Sequence, residues 1–134
     1  LRGRCLHNHI TTATRETALS RFKALKAGEN FHDLSPELKT TYSNAERTQN
    51  TIYMRLKYDE PSGTVVNVRK SMWIHPELDR AISIREAARL QTFPDSFIFE
   101  GTKDSQYQQV GNAVPPFLTK AVAESIISIL DQVQ

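Results

Sequence analysis

The chain has 134 residues, 39% of them apolar and 24% charged. That size holds one ordinary domain, and the composition excludes disorder throughout. The formal net charge is +2, but residues 1–89 carry 15 Lys/Arg against 10 Asp/Glu while residues 90–134 carry 2 against 5. A basic front suits contact with a polyanion, and a mildly acidic tail suits packing on protein. The single cysteine, Cys5, excludes an internal disulfide framework and suits a reducing compartment. No apolar run is long enough to span a bilayer, and residues 1–15 lack the apolar core of a signal peptide.

In chain order, residues 1–13 read as irregular. Residues 15–26 place Ala18, Leu19, Phe22 and Leu25 on one helical face, with Thr14 as N-cap and Gly28 at the C-terminal cap. Pro36 to Lys39 can form one helical turn. Residues 40–50 are polar without a period and read as a loop. Residues 52–58 alternate apolar and polar, residues 61–63 signal a turn, residues 64–68 are β-branched, and residues 72–74 can form a third short strand before His75-Pro76 breaks it. Ser83 and Glu86 have the spacing of a capping box, which predicts a helix from Ile84 to about Thr92, ended by Pro94. Residues 95–110 read as loop with at most one turn. Asn112 can cap a last helix whose first turn takes Pro115 and Pro116. Phe117, Leu118, Ala121, Val122, Ser125, Ile126, Ile129 and Leu130 then recur at helical spacing.

The five glycines are scattered singly, so no phosphate-cradling loop is present. Cys5, His7 and His9 lie close together but lack the second ligand pair of a zinc site, and no metal is expected.

Two stretches carry a resemblance. Residues 83–95 (SIREAARLQTFPD), led by Arg80 with Ile82 where leucine is usual, are similar to the penultimate signature block of the cytosine-C5 DNA methyltransferases, R-x-L-[TS]-x-R-E-x-A-R-L-Q-x-F-P-D. Residues 109–116 (QVGNAVPP) resemble the final block of that family, Q-x-G-N-[AS]-V-P-P. The two lie in order and at a family-like separation. Residues 61–65 (PSGTV) resemble the P-S-x-T-[VIL] element of the target-recognition region, with Arg55-Leu56 ahead of it. His75-Pro76 with Asp79-Arg80 resembles the lead-in to the penultimate block. Asn8-His9 and residues 21–28 are similar to the segment that many bacterial members carry before the recognition region.

The resemblance implies an α+β partial fold. A small antiparallel β recognition region would occupy residues 1–80. Residues 81–134 would add a short helix and a long C-terminal helix that complete a Rossmann-like methyltransferase domain dependent on S-adenosylmethionine. The Gly-rich cofactor loop, the Pro-Cys nucleophile and the Glu-Asn-Val element of the family have no counterpart here, since Cys5 follows Arg4. The absent start methionine and the short length agree with a piece of a longer protein. No catalytic residue is therefore expected in the chain, which alone would be inactive.

By the same resemblance, Thr64 and Val65 would meet DNA, with Arg69 and Lys70 neutralising phosphates. Arg80, Arg85, Glu86 and Arg89 would brace the recognition region against the methyl-transfer domain, forked guanidinium groups suiting that task. Asn112, Ala113 and Val114 would lie against S-adenosyl-L-methionine, held mainly by the missing amino-terminal part. The partners would be double-stranded DNA and the missing catalytic domain, with no membrane, in a bacterial cytoplasm beside the nucleoid. The apolar face of the last helix would be exposed, or hidden in a dimer. Two alternatives stay open: a stand-alone DNA-binding module, and a specificity subunit completing a separate catalytic chain.

Overall fold

The computed structural model describes residues 6–65 and 68–132, with backbone alone at residues 68 and 69. The elements are α1 (Glu16–Ala24), α2 (Pro36–Lys39), α3 (Val68–Ser71), α4 (Ile84–Leu90), α5 (Lys103–Asn112) and α6 (Pro116–Asp131), with single 3-10 turns at Phe31–Asp33 and Ala45–Arg47.

The antiparallel recognition sheet is the main correction. Among the described residues there is no extended strand, only two isolated bridges, Arg55 with Ile74 (parallel) and Ile74 with Ala81 (antiparallel). Backbone bonds from Leu56 to the Ile74 carbonyl (3.1 Å), from Ile74 to Met54 (2.8 Å) and from Ile82 to Trp73 (2.9 Å) tie three chain segments together over one residue each. A fourth segment joins through the Gly28 amide on the Arg55 carbonyl and the Arg55 amide on Glu29, both 2.9 Å. The pairing cannot lengthen. Tyr53 and Met72, beside the bridged residues, take left-handed φ values of 53° and 51°, and Pro76 follows His75. Of the β-branched run at 64–68, residues 66–67 lie outside the described residues and Val68 opens a helical turn.

Helix ends also differ from expectation. Helix α1 has Arg15, not Thr14, as N-cap, and ends at Ala24 with Leu25 as C-cap. Gly28 sits in the turn beyond, at φ 87°, where an added Cβ would run into the Lys57 side chain. The capping box forms as spaced: the Ser83 hydroxyl accepts from the Glu86 amide at 3.1 Å, and the Ser83 amide donates to the Glu86 carboxylate at 2.7 Å. Helix α5 replaces the expected loop. Its N-cap is Thr102, whose hydroxyl accepts from the Ser105 amide, and it buries Gln106, Tyr107 and Val110. Asn112 consequently ends α5 and does not cap α6, whose N-cap is Pro115.

Two apolar clusters form the core. One gathers Ala18, Phe22, Leu25, Phe31, Leu34, Tyr53 and Ile74 around α1. The other joins Val65 and Trp73 to Ile82, Ile84, Ala87, Ala88, Phe99, Tyr107 and Val110. Helix α6 belongs to neither. It buries no residue, and Phe117, Leu118, Val122, Ile126, Ile127, Ile129 and Leu130 are each 52–72% exposed.

Candidate functional site

The two signature blocks meet. Gln91, buried at the end of α4, donates from its amide to the Val110 carbonyl at 3.1 Å and to Ala113 at 3.4 Å. The next residue, Thr92, at φ 62°, accepts on its hydroxyl from the Phe117 amide at 3.1 Å. One short corner thus holds the end of α5 and one of the open amides of α6. The Tyr107 hydroxyl donates to the Ile82 carbonyl at 2.9 Å and closes the other side.

Arg85 is fully buried on α4 and holds the amino-terminal segment to this block. Its guanidinium donates to the carbonyls of His7 (3.0 Å) and Pro94 (3.0 Å), to Phe97 and to the Asn8 side-chain oxygen (3.2 Å). Burial lowers the Arg85 pKa from its ordinary value, and the group remains a cation, because guanidinium cannot lose its proton in a protein. Asn8, itself at φ 61°, fills every bond its side chain can make. It donates to the Phe99 carbonyl (2.8 Å) and Gln106 (2.9 Å), and accepts from the Phe99 amide (3.0 Å) and Arg85. His9 bonds the Ser83 hydroxyl at 2.9 Å, and Lys103 bonds Thr12. Residues 7–12, read as irregular from sequence, are thereby pinned across residues 83–106.

A second buried arginine, Arg55, ties the end of α1 to residues 75–79 in the same way. It donates to the carbonyls of Leu25 (2.8 Å), Phe22 (2.5 Å) and His75 (3.0 Å), and pairs with the Asp79 carboxylate at 2.6 Å. The sequence offered only its place before Leu56 as a signal. Gln91 was visible as part of the penultimate block, without a role.

The other candidates separate. Arg80 grips Glu86 with two bonds of 2.7 and 2.8 Å. Burial pushes the Glu86 pKa up, but the hydrogen bonds from Arg80 and the Ser83 amide, with the Arg80 charge, outweigh it and bring the carboxylate to about 2. His75, 4.0 Å from Glu86, has its pKa lowered by burial and by the Arg80 charge. Its Nδ1 accepts from the Glu77 and Leu78 amides, which leaves the proton of the neutral ring on Nε2. Arg89, expected to brace beside Arg85, is exposed and pairs with Asp95 at 2.7 and 2.8 Å.

Thr64 is exposed, whereas the Val65 side chain is a core residue and is not free to touch DNA. Lys70 is exposed on α3, and the Arg69 side chain lies outside the described residues. Asn112 and Val114 are exposed at the corner held by Gln91, and Ala113 is half-buried. The Asn112 amide and the Val114 side chain are thus open to solvent where α5 ends and α6 begins.

Comparison with known proteins agrees with the two blocks. Residues 4–128 match the family described as C-5 cytosine-specific DNA methylase. Type II methyltransferase M.DdeI from Desulfomicrobium norvegicum is 36% identical over 91% of this chain, which covers 32% of that protein. M.AgeI from Thalassovita gelatinovora is 51% identical over 55% of the chain, covering 18% of its length. M.AquIB from Picosynechococcus is 37% identical over 95% of the chain, and here the chain covers 94% of the relative. The chain thus spans a third or less of the first two and nearly the whole of the third. A family match across both signature blocks, the segment ahead of them and the corner that joins them places this chain in the C-5 cytosine-specific DNA methylase family.

Proposed function

We propose that this chain supplies the DNA-recognition region and the closing helices of a DNA (cytosine-5-)-methyltransferase. The observation that carries the reading is the contrast at the joined blocks. A corner bonded through Gln91 and Thr92 presents α6, and no described residue covers the apolar surface of α6. The occupant of that surface is the catalytic portion of the methyltransferase, with the nucleophilic cysteine and the Gly-rich loop that this chain lacks. A bilayer fits worse. Helix α6 has 16 residues after a break at residues 113–115, about 24 Å of helix against a hydrocarbon core of about 30 Å.

Residues 1–80 would then form the recognition region and residues 81–134 the end of a Rossmann-like domain. Thr64 would place its hydroxyl on a phosphate, with Arg69 and Lys70 neutralising others, while Val65 anchors that turn from inside. Arg80, Glu86 and Arg85 would brace the recognition region, with Arg89 a surface pair. Asn112 and Val114 would line the methionine end of S-adenosylmethionine, which supplies the transferred methyl group when bound. The enzyme would act on DNA in a bacterial cytoplasm. The length of M.AquIB favours a second arrangement of the same parts, in which the catalytic portion is a separate polypeptide that docks on α6.

The test replaces the matching carboxyl-terminal segment of M.DdeI with this chain and measures transfer of labelled methyl groups to cytosine C5 in duplex DNA. The chimera should methylate, and the chain alone should not. Methylation by the chain alone, or no salt-dependent binding of duplex DNA by the chain, would overturn the reading.

A further inference from the structure

We propose that the turn at residues 75–79 is an acid-sensitive latch: a proton added to the His75 ring opens the turn and loosens the grip of Arg55 on the recognition region. The turn uses the ring in one protonation state only. Its Nδ1 accepts from the Glu77 amide at 3.1 Å and from the Leu78 amide at 3.2 Å, so a single lone pair closes the turn. Imidazolium has no lone pair to offer, because both of its nitrogens are donors. No rotation of a protonated ring gives the two amides an acceptor.

What the turn holds makes the ring more than a local cap. Arg55 donates from Nη1 to the His75 carbonyl at 3.0 Å and from Nη2 to the Asp79 carboxylate at 2.6 Å, while its other bonds reach Phe22 and Leu25 at the end of α1. The backbone of Arg55 pairs with Gly28 and Glu29, and Leu56 bonds the Ile74 carbonyl. A turn that opens at His75 withdraws one end of this brace. The groups around the ring set where it titrates. Burial, then the Arg80 charge, holds its pKa below the ordinary value, and Arg55 acts the same way against Glu86 and Glu77. Glu86 stands 4.0 Å from Nε2 but is already gripped by two bonds from Arg80. Asp79 is engaged by Arg55, and Tyr58 meets the ring edge-on at 6.2 Å. The latch is therefore closed at about pH 6.5 and above, and opens as pH falls through the lowered value of the ring. The consequence for DNA rests on the recognition reading: the braced segment leads into the turn that carries Thr64, so loosening it weakens the hold on a duplex. Charge alone predicts the opposite, since protonation makes the chain more cationic and favours phosphate contacts.

The test measures amide hydrogen exchange and duplex affinity of this chain at about pH 7.5 and about pH 5.5, with exchange corrected for its intrinsic pH dependence. In the wild type, the amides of Glu77 and Leu78 and those of Gly28, Arg55 and Leu56 should lose protection together at the lower pH, by about threefold or more. Affinity for a duplex of random sequence should fall by a similar factor. His75→Asn keeps an acceptor for the Glu77 amide that takes up no proton. Its protection should change less than about twofold, and its affinity should hold or rise at the lower pH. His75→Ala, with no acceptor, should be loose at both pH values. Protection lost at Glu77 and Leu78 alone, or lost equally in His75→Asn, overturns the latch. Joint loss of protection with unchanged affinity overturns its effect on DNA. A chain that binds no duplex at either pH overturns the recognition reading, and the exchange pattern then decides the latch by itself.

Discussion

The interior of residues 7–110 and the surface of α6 meet opposite demands. The interior buries three arginines, and all are satisfied: Arg85 by three carbonyls and an amide oxygen, Arg55 by carbonyls and Asp79, and Arg21 by the Leu38 carbonyl and the Tyr53 and Thr41 hydroxyls. No buried side-chain polar atom among the described residues lacks a partner. Helix α6 inverts this, with one open amide of its first turn held by Thr92 and its apolar side chains exposed along its length. The first region is complete within the chain, because a buried cation without partners is too costly to leave for later assembly. The second region can wait, because exposed apolar surface costs a fold only the stabilisation it forgoes.

The largest expected effect breaks the satisfied side. Arg85→Ala removes a fully buried side chain together with its bonds to the His7, Pro94 and Phe97 carbonyls and the Asn8 side chain, and should lower stability by about 3–5 kcal/mol, read as a fall in the urea midpoint. Arg89→Ala removes only a pair about half-exposed on both sides and should cost less than about 1 kcal/mol. Equal losses would show that burial does not separate the two arginines. Between these lies the acid response. The Glu86 pKa is depressed to about 2 in the fold from an ordinary 4.5, so its contribution is full above pH 4.5 and is lost as pH falls from 4.5 toward 2. That contribution is about 3 kcal/mol, and Glu86→Gln should flatten the acid limb of the stability profile. His75, also depressed, favours its neutral form. It adds a smaller loss that begins as pH drops below its ordinary 6.5. A His75→Gln variant with an unchanged slope there would remove it from the account.

Parts of this organisation were legible in the residues and parts were not. The capping box at Ser83 and Glu86 and the apolar period of α6 are local signals, and both elements form where those signals lie. Arg55 misled the strand reading. Alternation in residues 52–58 assumes that polar side chains face out, yet Arg55 faces in and Tyr58 is 70% exposed. Carbonyls brought from Phe22, Leu25 and His75, with the Asp79 carboxylate, make that possible, and no local pattern announces them. Helix α5 was missed for a related reason. Its ten residues bury two polar side chains or hydroxyl-bearing rings, Gln106 and Tyr107, beside one valine, so an apolar stripe never shows. The Thr102 cap was its one visible signal. At the site, the signature blocks were plain, but the Gln91–Thr92 corner that joins them depends on a left-handed Thr92 that composition does not reveal.

The smallest expected effect on stability tests the waiting side. Ile126→Glu with Ile129→Glu places two carboxylates on α6 while keeping good helix formers. Both positions are more than half exposed and α6 buries nothing, so the melting temperature of the isolated chain should move by less than about 3 °C. Joined to the catalytic portion of M.DdeI, the same pair should abolish methyl transfer, because two charges would be buried against an apolar partner. A large loss of stability in the isolated chain would mean that α6 packs on its own protein. Full methylation by the double variant would mean that the catalytic portion does not cover this helix.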